Sequence, residues 1–191
     1  MVQPKPTLPF GTTTIIERLI AEIYPVFDEV IVVAAPAADE RYVAANLLRD
    51  WLGRIHLLRD DSAFAGPVPA LIRGLRAARN AIAFVCSCDL PLLRAGVARA
   101  LCAMVDEYDA VVPDIAGSLQ PLCAAYRSEV AHKTEALARG QSRLTAIVEH
   151  LTIRRVPEAD LRRIDPDLRG FLNVNTPADY ARALKIAGYE P

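Results

Sequence analysis

Ala83-Phe84-Val85-Cys86-Ser87-Cys88-Asp89-Leu90-Pro91-Leu92-Leu93 is the stretch around which the chain is arranged. It begins apolar, stops at one carboxylate, and meets Pro91 two residues later, where the backbone must turn. A run of this length bounded by a turn reads as a buried parallel strand, although periodicity alone leaves a helix open. As a strand it delivers Asp89 just past its carboxyl end, the edge where open α/β sheets bind ligands. Asp89 is therefore a candidate metal ligand. Capping of a following helix is the plain structural reading beside it.

Upstream, Ile15, Ile16, Leu19, Ile20 and Ile23 recur at helical spacing from about Thr14, and Pro25 closes that helix. Val30-Ile31-Val32-Val33 is β-branched and apolar, hence a second buried strand over 29–35. A helix N-capped by Asp39 and ending at Gly53 comes next, then a short strand over 55–58 that runs into Arg59-Asp60-Asp61-Ser62. Gly66-Pro67 opens a further helix carrying Val68, Leu71, Ile72 and Leu75. Downstream, 96–108 reads as a helix and 110–113 as a strand, while 120–127 reads as an added, antiparallel strand. Helices over 128–139 and 143–151 and a strand over 153–156 follow. A polar turn over 165–170 precedes an apolar strand, Phe171 to Pro177, that stops at Asn173 and Asn175. Thr176 and Pro177 start the last helix.

This alternation predicts an α/β fold: three layers, doubly wound, with a mainly parallel sheet and one added antiparallel strand. We expect residues 1–191 to form a single domain. An opening strand ahead of the first helix is missing from the pattern; a long sheet edge, if that exposes one, would invite self-association.

The composition is 52% hydrophobic and 24% charged with a net charge of −1, ordinary for a globular domain. Without a basic run, neither a nucleic-acid surface nor a polybasic membrane patch is expected. No apolar run reaches the roughly 18–20 residues that span a bilayer. Cys86, Cys88, Cys102 and Cys123 show no metal or redox spacing, so reduced thiols and a cytoplasmic location are expected. His56, His132 and His150 show no ligand spacing either, and there is neither a Walker loop nor a complete dinucleotide fingerprint.

What remains is polar residues at strand ends: Asp61, Asp89, Asn173 and Asn175. In a parallel sheet such ends share one edge and converge on a crevice. A carboxylate with amide oxygens is a hard, oxygen-only set that suits Mg²⁺ shared with substrate phosphates. Lys5 and the amides opening the Gly66-Pro67 helix suit a nucleotide's phosphates. Each residue has a bland reading beside this one: solvated charges for Lys5, Asp60 and Asp61, turn formers for Asn173 and Asn175.

Three segments together resemble the molybdenum cofactor guanylyltransferase (MobA-like) family of nucleotidyltransferases. Phe84 to Pro91 resembles its metal-binding strand end. Gln120-Pro121-Leu122-Cys123-Ala124-Ala125-Tyr126-Arg127 resembles its "HPLCALYR" strand, with Gln120 where histidine is usual. Phe171-Leu172-Asn173-Val174-Asn175-Thr176-Pro177 resembles its "NxNTP" segment. The likeness implies the family's Rossmann-like nucleotidyltransferase fold and transfer of GMP from GTP to molybdopterin, with Mg²⁺ and release of pyrophosphate. It implies Asp89 as metal ligand and catalytic group, and Asp61 and Gly66 on the nucleotide. It also places Lys5 on the nucleotide as a second catalytic group, with Asn173 and Asn175 on the pterin side. Molybdoenzymes or other cofactor-synthesis proteins are the partners it suggests.

Lys5-Pro6-Thr7-Leu8-Pro9-Phe10-Gly11 resembles the segment that follows the family's glycine-rich loop, and only Met1-Val2-Gln3-Pro4 precede it. A truncated start is expected, with a remnant that has lost catalysis as the other reading. The chain also has Gly66-Pro67-Val68-Pro69-Ala70 in place of Gly-Pro-Leu-Ala-Gly, and no asparagine after the strand at Val33. A cytidylyltransferase, another nucleotidyltransferase of this fold, or a non-catalytic nucleotide- or partner-binding module are the competing functions.

Overall fold

The computed structural model describes residues 5–34, 51, 53–60, 66–139 and 143–190. All of the helix expected over 39–53 except Trp51 and Gly53 lies outside them, as does the candidate Asp61.

Lys5–Thr7 forms a 3₁₀ turn, and β1 (Pro9–Phe10) pairs with β2 (Thr13–Thr14) as a small hairpin. Helix α1 (Ile15–Ile23) starts where expected. Thr14 Oγ1 accepts the Glu17 N–H at 3.3 Å and Glu17 accepts the Thr14 N–H at 2.8 Å, a reciprocal cap that satisfies two donors the helix leaves over. Strand β3 (Ile31–Ala34) runs parallel to β4 (His56–Arg59). Helix α2 (Pro67–Ala77) follows, then β5 (Ile82–Cys86), α3 (Ala95–Cys102) and β6 (Ala110–Ile115). After the short β7 (Ser118–Leu119) come β8 (Cys123–Arg127), α4 (Val130–Ala138), α5 (Leu144–Glu149) and β9 (Ile153–Pro157). Helix α6 (Glu158–Leu161), a 3₁₀ turn at Arg169–Phe171 and α7 (Pro177–Ile186) complete the described chain.

The added strand is β8, and it lies inside the sheet. It pairs antiparallel with β5 on one side and with β6 on the other, and β9 joins β6 in parallel. Strands β5, β6 and β9 thus share one direction, and β8 with its neighbour β7 runs against them. The stretch that reads as a parallel strand has an antiparallel partner along its whole length, a pairing set by a strand some forty residues later and invisible in local periodicity. The strand ends at Cys86, so Asp89 stands three residues beyond it in a turn.

Residues alternate cleanly between two cores. Ala83, Val85, Ala110, Val112, Ala124 and Tyr126 pack toward α2, α4 and α5. Phe84, Cys86, Val111, Cys123 and Ala125 pack toward Leu19 of α1, Val97 and Leu101 of α3, and Leu161 of α6. Both faces being covered explains why these strands read as unbroken apolar runs. Among the described residues no helix is long and apolar enough to cross a membrane.

No ladder joins β3 to β5 among the described residues. Their starts are tied by side chains instead. Glu29 accepts the Arg79 N–H at 2.7 Å and pairs with its guanidinium at 3.1 Å, and the Phe27 and Phe84 rings stack with centroids 6.2 Å apart.

Phe171 to Pro177 is not a strand. The Phe171 N–H goes back to the Leu168 carbonyl and the Leu172 N–H to that of Arg169, so the backbone spends its bonds in a turn. Phe171 drops into the core beside Leu90 and Leu93, while Val174 enters a separate cluster with Leu8, Phe10 and Ile15. That alternation mimics strand periodicity.

Behind the sheet, buried Asp109 joins β6 to the start of β9. Its carboxylate accepts from Lys133 Nζ at 2.7 Å and from the Thr152 N–H at 3.0 Å. Burial opposes its ionised form, but Lys133 and the Thr152 amide outweigh burial and hold the carboxyl below its ordinary range. A depressed carboxyl stabilises the fold above its unfolded pKa of about 3.9, and that contribution disappears as pH falls through the folded value. Asp109→Asn should therefore cost about 1–3 kcal/mol at pH 7, with the gap to wild type closing below pH 4 in denaturant titrations. An equal gap at both pH values would contradict this account.

Candidate active site

The turn after β5 is held from three directions. The Ser87 N–H donates to the Leu122 carbonyl at 2.8 Å, anchoring the turn to the approach to β8. The Val174 N–H donates to the Asp89 carbonyl at 2.9 Å, fastening the segment between the two asparagines alongside the acid. Arg18 Nε of α1 donates to the Pro91 carbonyl at 2.7 Å while its guanidinium lies 5.2 Å from the centre of the Phe10 ring. Asp89 caps no helix: α3 begins at Ala95, with Arg94 before it.

Around Asp89 opens a cavity of about 210 Å³ lined by Ser87, Gln120, Phe171 and Asn173, with Leu90, Pro121, Leu122 and Cys123 completing its wall. Ser87 Oγ donates to Asp89 Oδ1 at 2.5 Å. The other carboxylate oxygen, Oδ2, lies 3.6 Å from Lys5 Nζ. Lys5 in turn donates to Asn175 Oδ1 at 2.6 Å. Lys5, Asp89 and Asn175 thus meet, although the first and last are 170 residues apart in the chain. Asp89 keeps 17% of its side chain exposed and Lys5 36%, so both remain reachable from solvent.

The Lys5 segment reaches this position through the C-terminal helix. Leu8 and Phe10 share a cluster with Val174, Ala183 and Leu184, the Tyr180 hydroxyl donates to the Pro9 carbonyl, and Phe10 meets Tyr189 edge-on. Asn175 is fixed by the start of α7. Its N–H and that of Thr176 both donate to Asp179, whose carboxyl is lowered by the Thr176 hydroxyl and amide.

The thiols beside the acid are neutral. Burial, then the charge of Asp89, pushes Cys88 up to about 11. Burial, with Cys88 and Asp89 adding to it, raises Cys86 to about 12, and burial holds Cys123 well above its ordinary value. A thiolate nucleophile does not fit this environment. A cation here meets oxygen, as the ammonium of Lys5 already does.

Gly66 opens α2 with φ of 76°, a left-handed conformation, and does not line the Asp89 cavity. Ser87, Gln120 and Phe171 line the site without having been assigned to it from sequence. Ser87 was detectable as a hydroxyl two residues from a carboxylate. Gln120 donates to the Ser118 carbonyl at 3.1 Å, and only the fold brings it to the cavity.

A family model described as the MobA-like NTP transferase domain matches residues 1–156. The chain belongs to that family. A probable molybdenum cofactor guanylyltransferase of Carboxydothermus hydrogenoformans is 32% identical over 189 residues, covering 97% of this chain and 89% of the relative. Among solved structures, molybdopterin-guanine dinucleotide biosynthesis protein A from Archaeoglobus fulgidus superposes with a TM-score of 0.78 at 23% identity, over 98% of this chain and 92% of that one. Rv0371c from Mycobacterium tuberculosis, in a complex with manganese, superposes with a TM-score of 0.67 at 17% identity, over 96% and 93%. For this MobA-like chain these structures establish the nucleotidyltransferase fold.

Proposed function

We propose that this chain, working as one unit over residues 1–191, transfers GMP from GTP to molybdopterin and releases pyrophosphate. The observation that carries the reading is the meeting of Lys5, Asp89 and Asn175 beside a cavity bounded by Gln120 and Asn173, in a chain of the MobA-like family. Relatives about 30% identical over most of the chain bear the guanylyltransferase name.

The residues present fit a hard divalent cation: one carboxylate, nearby amide oxygens, protonated thiols, and a position already favourable to an ammonium. Asp89 would hold Mg²⁺, which when bound neutralises phosphate charge and aligns the reacting groups. Lys5 offsets the charge that builds on departing pyrophosphate, and Asp61 and the amides at Gly66 serve the nucleotide. Asn173 and Asn175 orient the acceptor, whose terminal phosphate attacks the α-phosphorus as the bond to the leaving pyrophosphate breaks. No enzyme nucleophile is needed. Alignment and charge neutralisation do the catalysis.

The test is pyrophosphate release by the full-length protein with GTP, Mg²⁺ and molybdopterin. Release that depends on all three is the expected result. A chain that turns over CTP in preference to GTP, or neither, would overturn the reading.

A further inference from the structure

Asp165 is buried, 9% exposed, in the turn that follows Leu161, a setting in which an unassisted carboxylate is costly. Its Oδ2 accepts the Gly170 N–H at 2.7 Å. Its own N–H donates to the Leu161 carbonyl at 2.8 Å and its carbonyl accepts from Leu168 at 2.9 Å, so it gathers the whole turn from the end of α6. Leu168 takes a left-handed φ of 53° to close that turn. Gly170 is pressed into place. A Cβ there would lie 3.1 Å from Asp165 Oδ2 and 3.5 Å from Leu93 Cα. Leu93 belongs to the segment that begins at Asp89, and the residues after Gly170 are Phe171 and Asn173 of the cavity wall, then Val174, which donates to the Asp89 carbonyl.

We infer that Asp165 is a positioning residue: through Gly170 it sets where Phe171 and Asn173 stand relative to Asp89, and so fixes the acceptor side of the site. It touches no reacting atom. Its charge is nonetheless felt at the cavity, since Asp165 adds to burial and Cys86 in raising the Cys123 thiol. The functional half of this assignment rests on the transferase reading above. The geometric half does not.

The experiment uses Asp165→Ala, Asp165→Asn and Gly170→Ala in the full chain. The asparagine can still accept the Gly170 N–H, while the alanine at 170 keeps the carboxylate and crowds it at 3.1 Å. Amide hydrogen exchange is read at Val174, with the Thr152 amide, bonded to Asp109 across the molecule, as the reference. Expected are exchange at Val174 about 10–100-fold faster in D165A and G170A with Thr152 much less affected, and near-wild-type exchange in D165N. With molybdopterin as acceptor, its KM should rise roughly tenfold in D165A and G170A while the KM for GTP changes less than about twofold. Equal acceleration at Val174 and Thr152, or a D165N variant as loose as D165A, would make Asp165 a general stabiliser and overturn the inference. If D165A does not fold, G170A decides the matter by the same readout. If wild type transfers nothing, the transferase reading falls, and the exchange data still judge the positioning.

Discussion

Asp89→Asn should lower kcat by about 10²–10³-fold, the scale on which single electrostatic contacts to a reacting centre act. The substitution is conservative everywhere except in charge. The Asp89 carbonyl still receives the Val174 N–H, and an amide oxygen can still accept from Ser87, so the turn keeps its supports. What goes is the negative charge facing Lys5 at 3.6 Å and facing any divalent cation. Steady-state pyrophosphate release alongside a thermal melt separates the two effects. A variant with an unchanged melting temperature and activity within about threefold of wild type would remove Asp89 from the mechanism.

Tyr126→Ala should be the most damaging change to the fold, at about 3–5 kcal/mol. The ring is completely buried in β8, opposite Ala83 of β5 and Ala110 of β6. Those two small partners leave room that this ring fills, packed with Leu71, Leu75 and Ile147, so its removal opens a cavity in a close-packed core. Set against a typical total of 5–15 kcal/mol, the loss lowers the melting temperature by on the order of 10 °C. Tyr126→Phe isolates the hydroxyl, which donates to the Pro121 carbonyl at 2.7 Å in the cavity wall. It should cost about 1 kcal/mol and touch the site more than the core. A denaturant midpoint for Y126A equal to that of Y126F would refute the packing account.

The parts of this molecule that sequence reveals are those governed by near neighbours. Thr14 and Thr176 cap helices through residues three positions on, and Gly66-Pro67 starts a helix, as local chemistry requires. Asp89 was recognisable because an apolar run, a carboxylate and a proline follow one another. The placement of β8 between β5 and β6 was not, since either order satisfies the same alternation. Phe171 to Pro177 misled for a related reason. Its residues feed two different clusters, and only the hydrogen bonds of the backbone tell a turn from a strand there. Lys5 was nameable from the family likeness, but its contact with Asn175 depends on the terminal helix holding both ends of the chain together. Asp165 read as one polar residue in a polar turn, because burial belongs to the tertiary structure.

The join between β3 and β5 divides the cooperativity of the molecule. Where β5, β8, β6 and β9 share main-chain bonds, opening one strips hydrogen bonds from its neighbour. The β3–β4 pair is held by side chains: the Glu29–Arg79 contact, the Phe27–Phe84 stack, Val33 near Gly74 of α2, and Val32 and Leu57 against Ile16 and Ile20 of α1. A pair joined to the main sheet by side chains is expected to open at less than the free energy of global unfolding, which amide exchange along β3 would report. Strand β4 runs out at Arg59, two residues in sequence before Asp61. The acceptor candidates Asn173 and Asn175 therefore lie beside the four-stranded unit, while Asp61 follows the smaller pair in sequence. A nucleotide held by Asp61 would oppose any opening of that pair, which couples its affinity to the stability of two short strands.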